Sequence, residues 1–239
     1  MNDRTAVATL LVEARVEGRL VEPLAHYAEL VLAENRRMNL TGARTPAEIV
    51  EHLLDSLSVV PFIRSPYVDV GSGAGFPGIP VALAAGVETT LIEATAKKAK
   101  FLERALRELG IAGRVVAQRA EVAGRDSSLR ERFASGTARA VASAPAVAEL
   151  VVPLLAVGGE ACLQRGEIEE AERTALADAA LVLGAELVAE QEVGETRRIL
   201  IVRKHGPTPL RFPRRTGIPV KRPLCYGPAR RMVSRGTSR

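Results

Sequence analysis

The sequence predicts an α/β protein with a mostly parallel sheet and helices on both faces, because strand-like and helix-like segments alternate from residue 67 to residue 204. The clearest signal is Tyr67 to Gly78, a short apolar strand that leads into a glycine-rich turn and a helix start. This arrangement is typical of sites that bind the phosphate or ribose of a nucleotide. A second observation is Glu93, which ends the next predicted strand 22 positions after Gly71.

Residues 1–60 are predicted to form a small helical cap in front of the nucleotide-binding domain. Apolar residues recur at helical spacing over residues 5–37, with Gly18 between two blocks. A third helix should begin near Thr45, whose side chain can cap it while Glu48 completes a capping box. We expect Pro61 to end this helix.

The glycine-rich turn should bring the backbone close to a ligand. Gly71, Gly73 and Gly75 have no Cβ to obstruct a sharp turn. Pro77 presets φ for the first turn of a helix over residues 79–85. The Glu93 carboxylate is placed to accept both hydroxyls of a ribose, and the alternative is a surface turn acid that falls there by chance.

The remaining segments continue the alternation. Ligands of parallel sheets bind at the carboxyl ends of the strands, where Ala120, Glu121 and Arg139 also fall. The predicted strands are 115–118, 137–142 and 160–164, the predicted helices are 94–109, 145–156 (ended by Gly158-Gly159) and 167–183, and a strand pair over 186–193 and 198–202 closes the domain around Gly194.

Composition limits the function classes. The 239 residues suffice for one sizeable α/β domain with an appendage, and an aromatic content of 3% without Trp argues against an aromatic platform for bases. Cys162 and Cys225 lack metal-ligand spacing, as do His26 and His205, so we expect no metal site. With no signal peptide and no apolar run long enough for a membrane, we expect a cytoplasmic protein, and we also expect a monomer.

Positive charge is concentrated at the C-terminus. Glu195 is the last acidic residue, and 13 Lys or Arg follow it, whereas residues 1–195 hold 20 basic and 28 acidic residues. Such a block is either a phosphate-binding surface or a solvated basic tail. Beyond Lys204 the prolines at 207, 209, 213, 219 and 223 argue against regular structure, so residues 61–204 form the predicted nucleotide-binding domain and residues 205–239 a basic tail. The candidate RNA-binding residues are Arg165, Arg197, Arg211, Arg214, Arg215, Lys221 and Arg222.

Several strings resemble one known family. They are Asn39-Leu40-Thr41, His52 to Ser56, Asp69 to Pro80, Leu91-Ile92-Glu93 with Lys97-Lys98 and Phe101-Leu102, Arg139 to Ser143, and Arg211 to Arg215 with Gly217, Pro219, Lys221 and Pro223-Leu224. The chain is similar over about residues 20–225 to the ribosomal RNA small subunit methyltransferase G family, also called glucose-inhibited division protein B. The resemblance implies a Rossmann-like class I fold and transfer of a methyl group from S-adenosylmethionine to N7 of a guanine in 16S ribosomal RNA, free or in the small ribosomal subunit.

The resemblance also implies site residues. Gly71 and Phe76 should line the cofactor site, with Ala120 and Glu121 near the adenine and Arg139 also at the cofactor. The chain departs from the family pattern at Ala134, where an acidic residue is common, at Ala138, where serine is common, and at Arg165-Gly166, where a Lys-Gly pair is common. The first two departures concern the reacting site, and the third keeps the positive charge.

The chemistry agrees with this interpretation. Guanine N7 carries an exposed lone pair, so its methylation needs placement in line with the methyl group and no general base. We therefore name no catalytic residue, and Cys162 is expected in the core. Arg139 could bind the methionyl carboxylate, bind an RNA phosphate or form a structural ion pair. His52 and Asp55 more plausibly hold the cap to the domain than take part in chemistry.

Two rival functions share parts of the pattern. A nucleotide-dependent oxidoreductase would also carry the glycines and the strand-end acid Glu93. A closing strand pair nevertheless suits a methyltransferase sheet better than the second half of a dehydrogenase. The other rival is a non-catalytic RNA-binding protein with a degenerate cofactor pocket, against which the intact glycines argue.

Overall fold

The computed structural model describes residues 2–139, 142–194 and 196–224, and it contains a seven-stranded sheet in the order β3-β2-β1-β4-β5-β7-β6. Strands β1 to β5 pair in parallel, and β7 runs antiparallel to both of its neighbours. The strands are β1 (Tyr67–Val70), β2 (Thr89–Ile92), β3 (Gly113–Val116), β4 (Phe133–Arg139), β5 (Leu155–Arg165), β6 (Ala185–Val193) and β7 (Arg197–Lys204). The predicted α/β class is confirmed.

Helices precede the sheet and connect its strands, and one short helix follows it. They are α1 (Asp3–Glu13), α2 (Gly18–Asn35), α3 (Pro46–Leu57), α4 (Gly78–Ala85), α5 (Ala96–Glu108), α6 (Ala120–Ala123), α7 (Ala144–Val151), α8 (Glu170–Val182) and α9 (Ile218–Lys221). The capping box predicted for α3 is present: Thr45 Oγ1 accepts from the Glu48 N–H, and Glu48 Oε2 accepts from the Thr45 N–H. Helix α3 ends at Leu57, before the short 3₁₀ turn Val60–Phe62 that contains Pro61.

Two large hydrophobic clusters hold the layers together. One joins α1, α2 and α3 to α4, β2 and α5 through side chains such as Leu24, Ile49, Ile79, Leu91 and Leu102. The other lies between α7, α8 and strands β1, β4, β5 and β7. The N-terminal helices therefore share one hydrophobic core with α4, β2 and α5.

The start of β4 and the role of Gly158-Gly159 differ from the prediction. Strand β4 begins at Phe133, before the predicted 137, and Gly158-Gly159 lies within β5 and does not end a helix. The register between β4 and β5 shifts from Phe133 opposite Leu155 to Ser135 opposite Glu160. Gly158 has φ +84°, and a Cβ on Gly159 would meet the Phe133 carbonyl at 2.9 Å, so these glycines serve an irregularity within the sheet.

Residues 205–224, called the strap below, pack across the domain despite their prolines. Thr208 and Phe212 are buried, and the Arg130 guanidinium donates to the backbone carbonyls of both residues at 2.6 and 2.8 Å. The strap contains the short helix α9, so the expectation of no regular structure is wrong in this part of the tail. Cys225 and the rest of the predicted tail lie outside the described residues. In the described part of the chain, no helix is both long and apolar enough to cross a membrane.

Candidate cofactor and substrate site

The glycine-rich loop after β1 is held in a fixed, left-handed conformation. Gly71, Gly73 and Gly75 have φ of +72°, +59° and +104°. A Cβ on Gly75 would lie 2.8 Å from both the Tyr27 hydroxyl and the Ile79 Cδ1. That hydroxyl donates to the Ala74 carbonyl at 2.8 Å, so a side chain of α2 holds the loop in place. Glycine is thus required at Gly75 by sterics as well as by backbone conformation.

Glu93 is tied to the glycine loop by hydrogen bonds. Its Oε2 accepts from the Gly73 N–H at 2.9 Å, and its Oε1 accepts from the Thr95 N–H at 2.7 Å. A carboxylate offers about four acceptor positions, so each oxygen keeps one for a ligand hydroxyl. The carboxylate is fixed, and hence preorganised, at the end of β2.

A cavity of about 340 Å³ brings four of the predicted cofactor residues together. Its lining comprises Val70, Gly71, Ile92, Glu93, Ala94, Thr95, Gln118, Arg119, Ala120, Glu121, Leu150 and Val220. The cavity is called the nucleotide cavity below. Its walls are the carboxyl ends of β1 and β2, the start of α6 and one residue of the strap, Val220.

Glu121 carries an unsatisfied oxygen beside this cavity. Its Oε1 accepts from the Gly217 N–H of the strap at 2.8 Å, whereas Oε2 is buried and has no partner among the described residues. Burial alone would raise the pKa of Glu121, but the Gly217 N–H and Arg119 hold this pKa below its usual value. The carboxylate is therefore ionised near neutral pH and suits a ligand N–H donor.

Phe76 and Arg139 lie apart from the nucleotide cavity, although both are predicted cofactor residues. The Phe76 ring is buried and lies 5.4 Å from the His52 ring and 5.1 Å from the Arg139 guanidinium. Arg139 Nη1 donates to Asp55 Oδ2 at 2.9 Å, and Arg197 Nη1 reaches the same oxygen at 2.7 Å. The structural ion pair considered for Arg139 is thus present.

Arg139 lines a second cavity of about 810 Å³, called the arginine cavity below. The cavity lies between the cap and the ends of β4, β5 and β7, and its lining comprises Thr41, Gly42, Ala43, Glu48, Glu51, His52, Arg139, Gln164, Arg165, Gly166, Thr196 and Arg197. Phe76 belongs to the glycine loop, whose Gly71 lines the nucleotide cavity, and its ring contacts Arg139 and His52, which line the arginine cavity. Sequence reasoning missed Gln164 and Glu51, which belong to no motif.

The candidate RNA-binding residues divide into three groups. Arg165 and Arg197 line the arginine cavity, where Arg165 also pairs with Glu172 at 2.9 Å. Four candidates lie on the strap and are exposed: Arg211, Arg215, Lys221 and Arg222. Arg214 differs, because its guanidinium forms a two-pronged pair with the fully buried Glu149, at 2.5 Å for Nη2 to Oε2 and 2.9 Å for Nε to Oε1. We therefore revise the assignment of Arg214 from an RNA contact to an anchor of the strap.

A buried acid in β1 was also missed. Tyr67 donates its hydroxyl proton to Thr137 Oγ1 at 2.5 Å, and Thr137 donates to Asp69 Oδ1 at 2.8 Å. Burial raises the pKa of Asp69 to about 6, and the hydrogen bond from Thr137 opposes that rise. An acidic residue in an otherwise apolar strand was the available signal.

The sheet order, the antiparallel β7 and the acid at the end of β2 define the class I methyltransferases that use S-adenosylmethionine. The model of the family described as rRNA small subunit methyltransferase G matches residues 20–201. The chain belongs to this family, whose members are 16S ribosomal RNA methyltransferases that use S-adenosylmethionine. The oxidoreductase and the non-catalytic RNA-binding protein are therefore excluded as functions.

Curated relatives cover most of the chain. Each of the following is named ribosomal RNA small subunit methyltransferase G. The Rubrobacter xylanophilus protein is 45% identical over 85% of this chain and 84% of its own. The Synechococcus elongatus (strain ATCC 33912) protein is 40% identical over 81% and 86%, and the Pelotomaculum thermopropionicum protein is 36% identical over 87% and 92%.

Solved structures agree on the fold. A geranyl diphosphate methyltransferase solved with its substrate and sinefungin has a TM-score of 0.54 at 14% identity, covering 70% of this chain and 86% of its own. Mitomycin 7-O-methyltransferase has a TM-score of 0.52 at 13% identity, covering 77% and 70%. At these identities the likeness concerns the fold alone.

The residues of the nucleotide cavity fit the cofactor. The free Oε2 of Glu121 suits an N–H donor such as the exocyclic amine of adenine, and Glu93 offers two acceptor positions for ribose hydroxyls. Within the described ranges, no group of three or more His, Cys, Asp or Glu side chains could hold a metal ion.

Proposed function

We propose that the chain methylates N7 of a guanine in 16S ribosomal RNA, with the cofactor in the nucleotide cavity and the RNA at the arginine cavity. The observation that carries this proposal is the glycine loop, which lines the nucleotide cavity at Gly71 and contacts Arg139 and His52 of the arginine cavity through Phe76. A methyl donor and an acceptor must meet at about 3–3.5 Å, so a single loop that contacts the residues of both cavities suits a direct transfer.

Gly71, Gly73, Gly75 and Phe76 are proposed to form the loop over which the cofactor lies. Glu93 would hold the ribose, and Ala120 with Glu121 the adenine. Arg139 would lie at the methionyl end, since among the described residues its guanidinium uses one of its five N–H donors, in the bond to Asp55. When bound, S-adenosylmethionine supplies an electrophilic methyl group on a sulfonium.

N7 of guanine needs no deprotonation, because its lone pair forms the new bond to carbon while the sulfur keeps the electrons of the bond that breaks. The positive charge moves from the sulfonium to the base. The side chains therefore have to orient the base and exclude water, and they need not remove a proton. His52 suits such a site: its pKa is lowered by burial and by the nearby Arg139, so it stays neutral near pH 7.

Arg165 and Arg197 at the arginine cavity and the exposed strap residues Arg211, Arg215, Lys221 and Arg222 are proposed to bind RNA phosphates. Family membership supports 16S RNA as the partner. We further propose that residues 1–60, 61–204 and 205–239 act as cap, catalytic domain and RNA-facing tail, and that the protein works as a monomer in the cytoplasm.

The test is transfer of labelled methyl from S-adenosylmethionine to small ribosomal subunits, naked 16S RNA and DNA. We expect label in RNA, recovered as 7-methylguanosine after digestion to nucleosides. Label in another nucleoside would overturn the assigned atom. No transfer to any substrate by a protein that still binds cofactor would overturn the assigned acceptor.

A further inference from the structure

We propose that the arginine cavity receives the target guanosine as a nucleotide turned out of the RNA, and that Gln164 and Glu51 select guanine by accepting hydrogen bonds from N1–H and the 2-amino group. This inference rests on the proposed function and deepens it. It assigns to the cavity a base-recognition site, with residues from the cap on one side and from the sheet on the other.

Size and position agree with this occupant. The cavity measures about 810 Å³, which lies within the range of about 300–1,000 Å³ that small-molecule sites span. It opens at the carboxyl ends of β4 and β5, the edge at which parallel α/β sheets bind ligands. Enzymes that modify a base commonly take it out of its stack into such a pocket and read its Watson–Crick edge.

Gln164 supplies a buried acceptor that is ready for a ligand. The residue is 6% exposed, its Nε2 donates to the Asp55 carbonyl at 2.7 Å, and its Oε1 has no partner among the described residues. The bond to Asp55 fixes which end of the amide carries the oxygen, because a reversed amide would place two oxygens in contact. A buried acceptor without a partner costs about 1–3 kcal/mol, so a ligand N–H at this point is favoured.

Glu51 offers the second acceptor. It lies on α3, is exposed and lines the cavity, and it has no hydrogen bond or ion pair among the described residues. Guanine presents two neighbouring donors, N1–H and the 2-amino group, where adenine presents the acceptor N1. Two acceptors at the cavity wall therefore favour guanine and leave adenine with an unpaired contact.

The charges of the cavity suit both the phosphate and the product. Arg165 and Arg197 line the cavity at the end of β5 and the start of β7, and each keeps N–H donors without a partner in the described part of the chain, which suits a nucleotide phosphate. The transfer leaves the positive charge on the methylated base, and the Glu48 and Glu51 carboxylates line the same cavity. These carboxylates stabilise the charge as it develops.

The experiment uses the full chain and three variants. Glu51→Met removes the acceptor from an exposed side chain without threatening the fold. Gln164→Met removes the amide, while the Asp55 carbonyl keeps its bonds from the Ser58 N–H and hydroxyl at 3.3 and 2.6 Å. Glu13→Met changes another exposed acid of the cap and is the matched control.

Two measurements are made on each protein: kcat/KM for small ribosomal subunits, and the affinities for S-adenosylhomocysteine and for guanosine and adenosine monophosphates in its presence. We expect Glu51→Met and Gln164→Met to lower kcat/KM by about tenfold or more, as for loss of one base contact. Their affinity for S-adenosylhomocysteine should change less than about twofold. Guanosine monophosphate should bind the unmodified protein at least tenfold more tightly than adenosine monophosphate, and Gln164→Met should abolish this preference.

Three results would overturn the proposal. An unchanged kcat/KM in both variants would show that the two residues do not recognise the base. Loss of S-adenosylhomocysteine affinity in parallel with activity would assign the cavity to the cofactor. Equal binding of the two monophosphates would show that the cavity does not select guanine. If the unmodified protein transfers no methyl to RNA, the proposed function fails, and the monophosphate measurement still decides this inference.

Discussion

Replacing Arg214 with Met should lower the free energy of unfolding by about 3 kcal/mol. Arg214 Nη2 lies 2.5 Å from Glu149 Oε2, Nε lies 2.9 Å from Oε1, and Glu149 is completely buried. Removing one partner of a buried pair costs about 3–5 kcal/mol, because the other charge stays buried without compensation. The lower end applies here, since the Arg214 backbone N–H donates to Oε1 at 2.8 Å and survives the substitution.

Equilibrium unfolding in urea measures this loss. Arg215→Met is the matched control, because Arg215 is the exposed neighbour of Arg214, and it should change stability by less than about 0.5 kcal/mol. Adding Glu149→Gln to Arg214→Met should recover most of the loss, because a neutral amide is much less costly to bury than a carboxylate. A loss below about 1 kcal/mol, or a double variant no more stable than Arg214→Met, would refute the assigned role.

Three further predictions concern the cofactor, the RNA and pH. Glu93→Ala should weaken S-adenosylhomocysteine binding by about tenfold or more with RNA affinity unchanged in calorimetric titrations, and a parallel loss of both would contradict the ribose role. Arg215→Ala and Lys221→Ala should each reduce the slope of log affinity for RNA against log salt by about 1, and an unchanged slope would make both residues mere solvated charges. In carbon NMR the Asp69 carboxyl should titrate near pH 6, as burial dictates. Because this pKa is raised on folding, Asp69 should make the fold less stable as pH rises from about 4 to about 6, and a midpoint below 4 would refute the shift.

Local signals predicted much of the fold and the nucleotide cavity. The strand, the three glycines and the acid Glu93 follow one another within 27 residues, from Tyr67 to Glu93, and each has a short-range physical reason. The capping box of Thr45 was equally local, because both of its members lie in one helical turn. Such features can be predicted because they depend on residues nearby in the sequence and little on tertiary contacts.

Contacts between residues far apart in the chain could not be predicted from the sequence. Nothing near Arg214 indicated that its partner would be Glu149, 65 positions earlier in the chain. Gln164 is another example, because its free oxygen results from a bond to the Asp55 carbonyl 109 positions away. Gly158-Gly159 gave a clear local signal with two meanings, a helix end or a sheet irregularity, and the packing against Phe133 decided between them.

The position of the strap couples its docking on the domain to cofactor binding. The Gly217 N–H donates to Glu121 and Val220 lines the nucleotide cavity, so part of the wall of this cavity comes from the strap. If docking of the strap raises cofactor affinity, the cofactor must favour docking by the same factor, because the two equilibria are reciprocal. The strap is rich in arginine and lysine, so trypsin should cut it more slowly when the cofactor is present. The rate of trypsin cleavage in the segment proposed to bind RNA should therefore report whether the methyl donor is bound.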